Sequence, residues 1–275
     1  MKLSAQGTAT AWCCAGLLIL SGCAAAPPKT VKIDNSIELR QAESKLSRFL
    51  GQSCVHAVDC DVQLSWQAYG QGKTFSATMQ AMQPSFLRLA MTDPLGRPLV
   101  LLGAHGNRFT LTDNNEAIGY TGTMDLDVVR KFLPEFIPAH DLFYWLSGRV
   151  NRNGMRVLST RMDAKENLYW YKVAYPGGSS KDMSHMLALN EKNQLVRHMV
   201  LDAEDDIQFA AKYSEYVVTP RVCSWPGRIE ISGEALEADF TLAFTEIFDF
   251  KPIEQKRFQV RIPPHFKVRK IINES

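Results

Sequence analysis

Apolar and polar residues alternate with a period of two over most of this chain. In VQLSWQAY, Val62, Leu64, Trp66 and Ala68 fall on one side, and Gln63, Ser65, Gln67 and Tyr69 on the other. After Gly70-Gln71-Gly72 the alternation resumes, with Phe75, Ala77, Met79 and Ala81 set against Ser76, Thr78 and Gln80. Successive strand side chains point to opposite faces, so the pair predicts a β-hairpin with one apolar face. FLRLAM, LVLLG, RFTLT and AIGY continue the pattern, broken by Pro84-Ser85, His105-Gly106-Asn107 and Asp113-Asn114-Asn115. Later come NLYWYKVAY, HMLALN, QLVRHMVL, IQFAAKY, RIEIS, DFTLAFTEIF and RFQVRI. The count is about a dozen strands, mostly linked as hairpins, which favours one continuous antiparallel sheet, strongly curved or partly closed.

Three stretches change period. DNSIELRQAESKLSRFLG predicts a helix capped by Asp34, Asn35 or Ser36, with Ile37, Ala42, Leu46, Phe49 and Leu50 mostly along one side and Gly51 ending it. MDLDVVRKFLPEF and HDLFYWLSG predict two more helices, separated by Pro134 and Pro138 and closed by Gly148.

The first residues belong to a different class. MKLSAQGTATAWCCAGLLILSGC begins with Lys2, and its apolar run from Trp12 to Leu20 is too short to span a bilayer as a helix. Leu20-Ser21-Gly22-Cys23 then resembles the lipobox of bacterial lipoproteins. That resemblance implies removal of residues 1–22 and lipidation of Cys23. AAAPPKTVK, with Pro27 and Pro28, follows as a tether. Ala24, where Asp would signal retention in the inner membrane of many Gram-negative bacteria, implies export to the outer membrane. About 250 residues remain, enough for one large β-rich domain or two small ones. The full chain carries a net charge of +2, and the leader removes one Lys and no acid. A nearly neutral chain lacks the clustered excess of Lys and Arg that nucleic-acid binding demands.

In an oxidising periplasm Cys54 and Cys60, six positions apart, predict a disulfide. Cys223 is the odd thiol, and its pairing with either of the others is the alternative.

Catalytic motifs do not emerge. The six histidines, His56, His105, His140, His185, His198 and His265, show no metal-ligand spacing, although His185 and His198 can meet across neighbouring strands. Gly72-Lys73-Thr74 lacks the first glycine of a phosphate loop, since position 67 is Gln67, and it joins strand to strand. Asp205-Asp206 lies in a charged turn. The expectation is a non-enzyme with no metal and no cofactor beyond the covalent lipid on Cys23. The 14 Phe, 10 Met, 5 Trp and 8 Tyr would make an inward face rich in large, adaptable side chains. Such a face is either a packed core or an acyl-chain cavity.

Met91-Thr92-Asp93-Pro94-Leu95-Gly96, after FLRLA, resembles the LLLTNPLG segment of the LolB family of outer-membrane lipoprotein receptors. DLFYWLSGRV is similar to that family's LRQWILGLP, and the terminal RFQVRIPPHFKV looks like the ending of LolA-type periplasmic carriers. The chain departs from the pattern in Asp93 for the usual Asn, in Arg97-Pro98 after the glycine, and in Cys54 and Cys60.

The resemblance implies a mainly β (α+β) fold: an unclosed, strongly curved antiparallel β-barrel with covering helices, as a single domain over residues 34–272 behind a lipidated tether at 23–33. It implies an outer-membrane protein on the periplasmic side that receives lipidated proteins or other acyl lipids, with a LolA-like periplasmic carrier as a possible donor. In that scheme Pro94, Leu95 and Gly96 form a membrane-contact loop. Trp66, Met79, Leu89 and Trp145 line the cavity expected from the strand pattern and the family fold. The competing reading is a non-catalytic adaptor lipoprotein of an envelope complex, suggested by the basic end with Lys251, Lys256, Arg257, Arg261, Lys267, Arg269 and Lys270.

The anchor is checked by fractionation. Three acyl chains hold a protein stably where one is marginal, so wild type is expected in the membrane fraction and Cys23→Ser in the soluble periplasm. Equal partition of the two overturns the assignment.

Overall fold

Among the described residues the alternation is realised as a single fifteen-stranded sheet in the computed structural model. The structure describes residues 28–68, 71–93, 95–124, 139–175, 183–233, 236 and 239–271. The first half of the chain contributes β1 (Val31–Lys32), helix α1 (Ser36–Gly51), β2 (Ala57–Ala68), β3 (Gln71–Met82), β4 (Phe86–Thr92), β5 (Pro98–His105), β6 (Arg108–Asp113) and β7 (Ile118–Thr123). A 3-10 turn (Ala139–Asp141) leads into the short helix α2 (Leu142–Leu146). Then follow β8 (Arg156–Asp163), β9 (Leu168–Ala174), β10 (Ser184–Leu189), β11 (Leu195–Leu201), β12 (Ile207–Ser214), β13 (Arg228–Ser232) and β14 (Asp239–Asp249). A second 3-10 turn (Gln255–Phe258) and β15 (Lys267–Lys270) complete the order.

Two antiparallel meanders, β2 to β7 and β8 to β14, are joined by the pairing of β14 with β2, which runs from Asp239↔Gln67 to Asp249↔Asp59. The edge strands are β1 and β15, and they do not pair with each other among the described residues: the sheet is unclosed.

One face carries a continuous apolar core. On β2 it presents Val58, Cys60 and Val62, and on β3 Ala77, Met79 and Ala81. On β9 to β13 it presents Tyr171, Val173, Leu187, Val200, Tyr213 and Ile229. Leu242 and Phe244 of β14 pack against both groups. Helix α1 lies against the β9–β13 side. The Asn35 side chain caps it by accepting from the Ile37 N–H at 2.8 Å, filling one of the orphan donors of the first turn. Ala42, Leu46 and Phe49, spaced four and three apart, form its buried stripe, whereas Ile37 stays exposed. Full burial of a side chain such as Leu46 or Phe49 contributes about 1.5–3 kcal/mol. Tyr171 donates its hydroxyl to the Ala42 carbonyl at 2.7 Å. Arg149 closes the other end. Its guanidinium donates to the Phe49 carbonyl and to Gln52 Oε1 (2.7 Å), and lies 3.9 Å above the Phe49 ring. Burial lowers its pKa to about 10, so it stays a cation at neutral pH, beside a helix C-terminus where cations are favoured.

The cysteine pairing differs from the expectation. The disulfide joins Cys54 to Cys223, and Cys60 is a free, buried thiol. Cys60 sits on β2 opposite Met79 with its side chain in the core, its Sγ donating to the Met79 carbonyl at 3.4 Å. Cys54 precedes the strand, where the chain leaving α1 meets the β12–β13 connection, with Cα atoms 5.0 Å apart. Spacing alone ignored which face the strand would give Cys60. The bond spans 169 residues, so the chain-entropy model assigns it about 5 kcal/mol, well above what a short loop would give.

Two further differences concern segment ends. The tether is shorter than the expected 23–33: Val31 and Lys32 pair with Met162 and Arg161, and Ile33 is buried in the core. RFQVRI is not a strand. It belongs to a strap that crosses the outer side of β4 and β5, where Phe258 is buried and its ring lies 5.2 Å from that of Phe86. The strap ends as β15, parallel to β7 with Lys267 beside Ile118. MDLDVVRKFLPEF lies, except for Met124, outside the described residues.

Two glycines admit the strap. A Cβ at Gly103 would stand 2.5 Å from the Phe258 carbonyl oxygen, and one at Gly119 would stand 2.5 Å from Ile262 Cγ2. Gly103→Val is therefore expected to cost about 1–3 kcal/mol, the usual range for overpacking. Gly51→Ala, whose added carbon meets nothing within 4 Å, should leave stability equal or higher. Urea unfolding of both checks this, and an unchanged midpoint for Gly103→Val would remove the strap from the packed fold.

Candidate functional site

The connection between β4 and β5 is a built tip. The Asp93 carboxylate organises it. Oδ1 accepts from the backbone N–H of Leu95 (2.8 Å) and of Arg97 (2.9 Å), and Oδ2 accepts from Arg97 Nε at 2.6 Å. The backbone closes too, with Gly96 N–H donating to the Asp93 carbonyl (2.9 Å) and Asp93 N–H to the Arg97 carbonyl (3.0 Å). The Arg97 N–H bond, then the Arg97 side chain and the Leu95 N–H, hold the Asp93 carboxyl below the usual carboxylate range. Gly96 has φ +78°, a conformation that suits a residue without Cβ. The result is a leucine whose backbone is fixed and whose side chain is 79% exposed. Pro94 lies outside the described residues.

The four expected cavity residues separate. Met79 is buried beside Cys60 and opposite Leu89, which is half-buried and packs on the same cluster. Trp66 shares their face of β2, between Phe240 and Lys73, six residues from Cys60 and hence about 20 Å along the strand. Trp145 belongs to the α1 side of the core, not to the group around Met79.

The two halves of the apolar face are filled differently. Over β9 to β13, α1 and Trp145 pack Tyr171, Leu187, Val200 and Tyr213 to near-complete burial. Over β2 to β6, Leu64, Phe75, Leu89, Met91 and Leu102 are only half-buried on the same face. An acyl-chain site requires apolar side chains not already saturated by their own packing. Among the described residues these lie on the first meander and the adjoining β13 and β14, with Ile231, Phe240, Leu242 and Phe244 also half-buried, whereas β9 to β12 are filled.

Beneath Trp145 lies a feature the sequence only hinted at. His185 Nδ1 and His198 Nε2 are 2.9 Å apart in a hydrogen bond. The Trp145 indole stacks on His198 (centroids 3.8 Å, planes 3° apart), and Tyr175 meets His185 edge-on. His198 Nδ1 is buried without a partner among the described residues. Burial pushes His185 down to about 4, and burial together with the neighbouring His185 holds His198 well below the usual imidazole range. Both rings are neutral at pH 7, and the pair is a polar element of the core. No cluster of three metal-ligating side chains occurs among the described residues, and no described helix is long and apolar enough to cross a membrane.

No protein-family model matches the chain, and no curated protein matches it. Solved structures do. A LolA superfamily protein from Nitrosomonas europaea superposes with a TM-score of 0.53 at 10% identity, covering 80% of this chain and 97% of its own. A DUF1329 family protein from Desulfovibrio piger reaches 0.58 at 8% identity, covering 80% and 96%. A domain from Vibrio parahaemolyticus described as outer membrane lipoprotein-sorting reaches 0.50 at 6% identity, covering 82% and 97%. At these identities the likeness is one of fold: the chain has a LolA-like fold.

The histidine pair generates a pH prediction. A histidine whose folded pKa lies below its unfolded 6.5 is protonated more readily in the unfolded chain. Its contribution to stability is whole above about pH 6.5 and is lost as pH falls from there toward 4. Each such group can steepen the loss by up to about 1.4 kcal/mol per pH unit. Urea unfolding between pH 7 and 4.5 should show a clearly shallower slope for His198→Phe than for wild type. Identical slopes would mean the pair is not titrating with unfolding.

Proposed function

We propose that this chain is a lipid-anchored envelope protein, held at the outer membrane through Cys23. It accommodates acyl chains on the apolar face of a curved, unclosed half-barrel and passes lipidated proteins, or a related lipid, to the bilayer. No bond is made or broken. Transfer is driven by differences in apolar burial at about 0.8 kcal/mol per CH₂. The observation that carries the reading is Leu95: a large apolar side chain held out in water by a carboxylate clamp. A turn needs none of that apolar surface. The half-buried face of β2 to β6 supports the same reading, as does the resemblance of the Asp93–Gly96 segment to LolB and of the fold to LolA-like proteins. The filled side under α1 supports the adaptor alternative for that half of the molecule.

Leu95→Glu separates these. Exposed as it is, the residue contributes little to folding, so the melting temperature should stay within a degree or so of wild type. Transfer of a lipidated cargo into vesicles should fall about tenfold or more, since the loop would lose 1.5–3 kcal/mol of apolar burial and face the cost of desolvating a charge. Leu95→Phe should retain most activity. Native mass spectrometry of wild type should show co-purified acyl lipid. Unchanged transfer for Leu95→Glu removes the loop from the mechanism, and a lipid-free protein that transfers nothing favours the adaptor.

A further inference from the structure

The connection between β12 and β13 presents two valines to water at the opposite end of the strands from Leu95. Val218 is 89% exposed and Val222 is 74% exposed. The base of this loop is firmly held. Val217 and Trp225 exchange backbone hydrogen bonds of 2.8 and 3.0 Å. Thr219 Oγ1 donates to the Cys223 carbonyl at 2.6 Å and accepts from the Arg221 N–H at 3.1 Å. Cys223 is bonded to Cys54, and Trp225 is buried against Phe143 and Phe244. A fixed loop that holds β-branched apolar side chains in solvent pays little entropy when they are covered.

Beside it lies a cationic cleft of about 470 Å³ at the C-terminal part of α1, with Lys45, Arg48 and Lys192 in its walls and Glu191 as the one carboxylate. Lys45 Nζ donates to the carbonyls of Asn190 (2.9 Å) and Glu191 (3.1 Å), which fixes its position and leaves it one further donor. The Glu191 carboxylate accepts from Asn167. Burial, then the neighbouring Arg48, lowers the Lys45 pKa, while Glu191 opposes that shift. An anion would relieve this crowding of cations. The cleft and the valine loop are tied together: Gln52 lines the cleft, and Cys54, two residues on, carries the disulfide to Cys223.

The chain also enters the fold at this end. Thr30 is gripped by Arg161, whose Nε donates to Thr30 Oγ1 (2.7 Å) and whose Nη2 donates to the Thr30 carbonyl (3.0 Å). Val31 pairs with Met162, and Met162 pairs with Tyr169, another wall of the cleft. The stretch from Cys23 to Thr30 reaches at most about 25 Å when fully extended.

We infer that this end of the sheet is a membrane-docking surface for an anionic lipid bilayer, in which phosphate headgroups enter the Lys45–Arg48–Lys192 cleft while Val218 and Val222 seat at the headgroup–acyl boundary. The inference builds on the lipid anchor at Cys23 for its direction, since a short tether brings this end to the bilayer first. Apolar tips beside cations are the pairing that an interfacial surface uses, one for the acyl boundary and one for the anionic headgroups. Leu95 stands at the far end of the strands, so the two ends meet the bilayer in different orientations of the domain, this base at rest and Leu95 at delivery.

The test uses the mature chain with Cys23→Ala, so that no anchor contributes, and sedimentation with vesicles of phosphatidylethanolamine and phosphatidylglycerol or of phosphatidylcholine alone. The anchor-free chain should sediment with the anionic vesicles, and much less with the neutral ones. The Val218→Asp/Val222→Asp and Arg48→Glu/Lys192→Glu pairs should each weaken binding about tenfold or more, with melting temperatures unchanged because all four side chains lie at the surface. Val268→Asp, an exposed valine on β15 away from this end, should bind as wild type does. Failure of the parent to sediment, wild-type binding by both double variants, or loss of binding in Val268→Asp alone would each overturn the surface. This readout is independent of lipidation: if Cys23→Ser fractionates like wild type while the vesicles still bind, the anchor falls and the surface stands, and the opposite pair of results removes the surface alone.

Discussion

The pairing of β14 with β2 is the constraint on which the rest depends. Without it the chain is two meanders, each with an apolar face and an open edge. With it, Leu242 and Phe244 become common to both cores, and one apolar face runs across the sheet. The contact is long in space and extreme in sequence, joining residues near 60 to residues near 244. Closing so large a loop is entropically costly, and the Cys54–Cys223 disulfide sits at the same end of the strands to bear part of that cost. Polar bonds also tie α1 to the fold. The Tyr171 hydroxyl meets a helix carbonyl, and the buried Arg149 guanidinium meets another, so helix and sheet are joined by polar bonds as well as apolar area.

The strands were legible in the sequence where the two faces differ. The β2–β3 hairpin alternates cleanly from Val62 to Ala68 and from Phe75 to Met82, although both strands begin earlier, at Ala57 and Gln71. β10 was found as a continuous run, because both of its faces are buried. β8 was missed, since RVLSTRMD, covered on one side only by the two-residue β1, is mostly exposed and its Val157 and Leu158 face water. The strap was misread as a strand for the opposite reason: Phe258 is a buried anchor, but the hydrogen-bonding partners of its neighbours are not a ladder. Nothing local distinguishes the two cases.

The site was legible only in part. Asp93, Leu95 and Gly96 are neighbours in sequence, so turn chemistry could be read before any fold was known. The partners of Cys54, the stacking of Trp145 on His198, and the meeting of Lys45 with Asn190 and Glu191 each join residues far apart in sequence. Such juxtapositions follow from sheet register, which a single sequence does not specify. Trp145 was expected in the cavity from the strand pattern and the family fold, and in the structure it stacks on the buried His198 imidazole.

The division of the apolar face follows from where the rigid elements lie. Helix α1 can cover only the strands its short connections reach, and Asn35 at one end and the Cys54–Cys223 bond just past the other hold it over the second meander. That side combines near-complete burial with a cross-link at the helix exit. The first meander is braced from its outer side, by a strap that needs Gly103 and Gly119 and that ends as a charged edge strand, Lys267 to Lys270, a device that discourages further pairing. Bracing from outside leaves Leu64, Phe75, Leu89, Met91 and Leu102 on the inner side only half-buried, while Val58, Cys60, Val62, Ala77 and Met79 remain core. A fold that must hold a rigid base yet keep unsaturated apolar surface can meet both needs only by placing them on different parts of the sheet, and this chain puts the first under α1 and the second toward the Leu64–Phe75 end of the first meander.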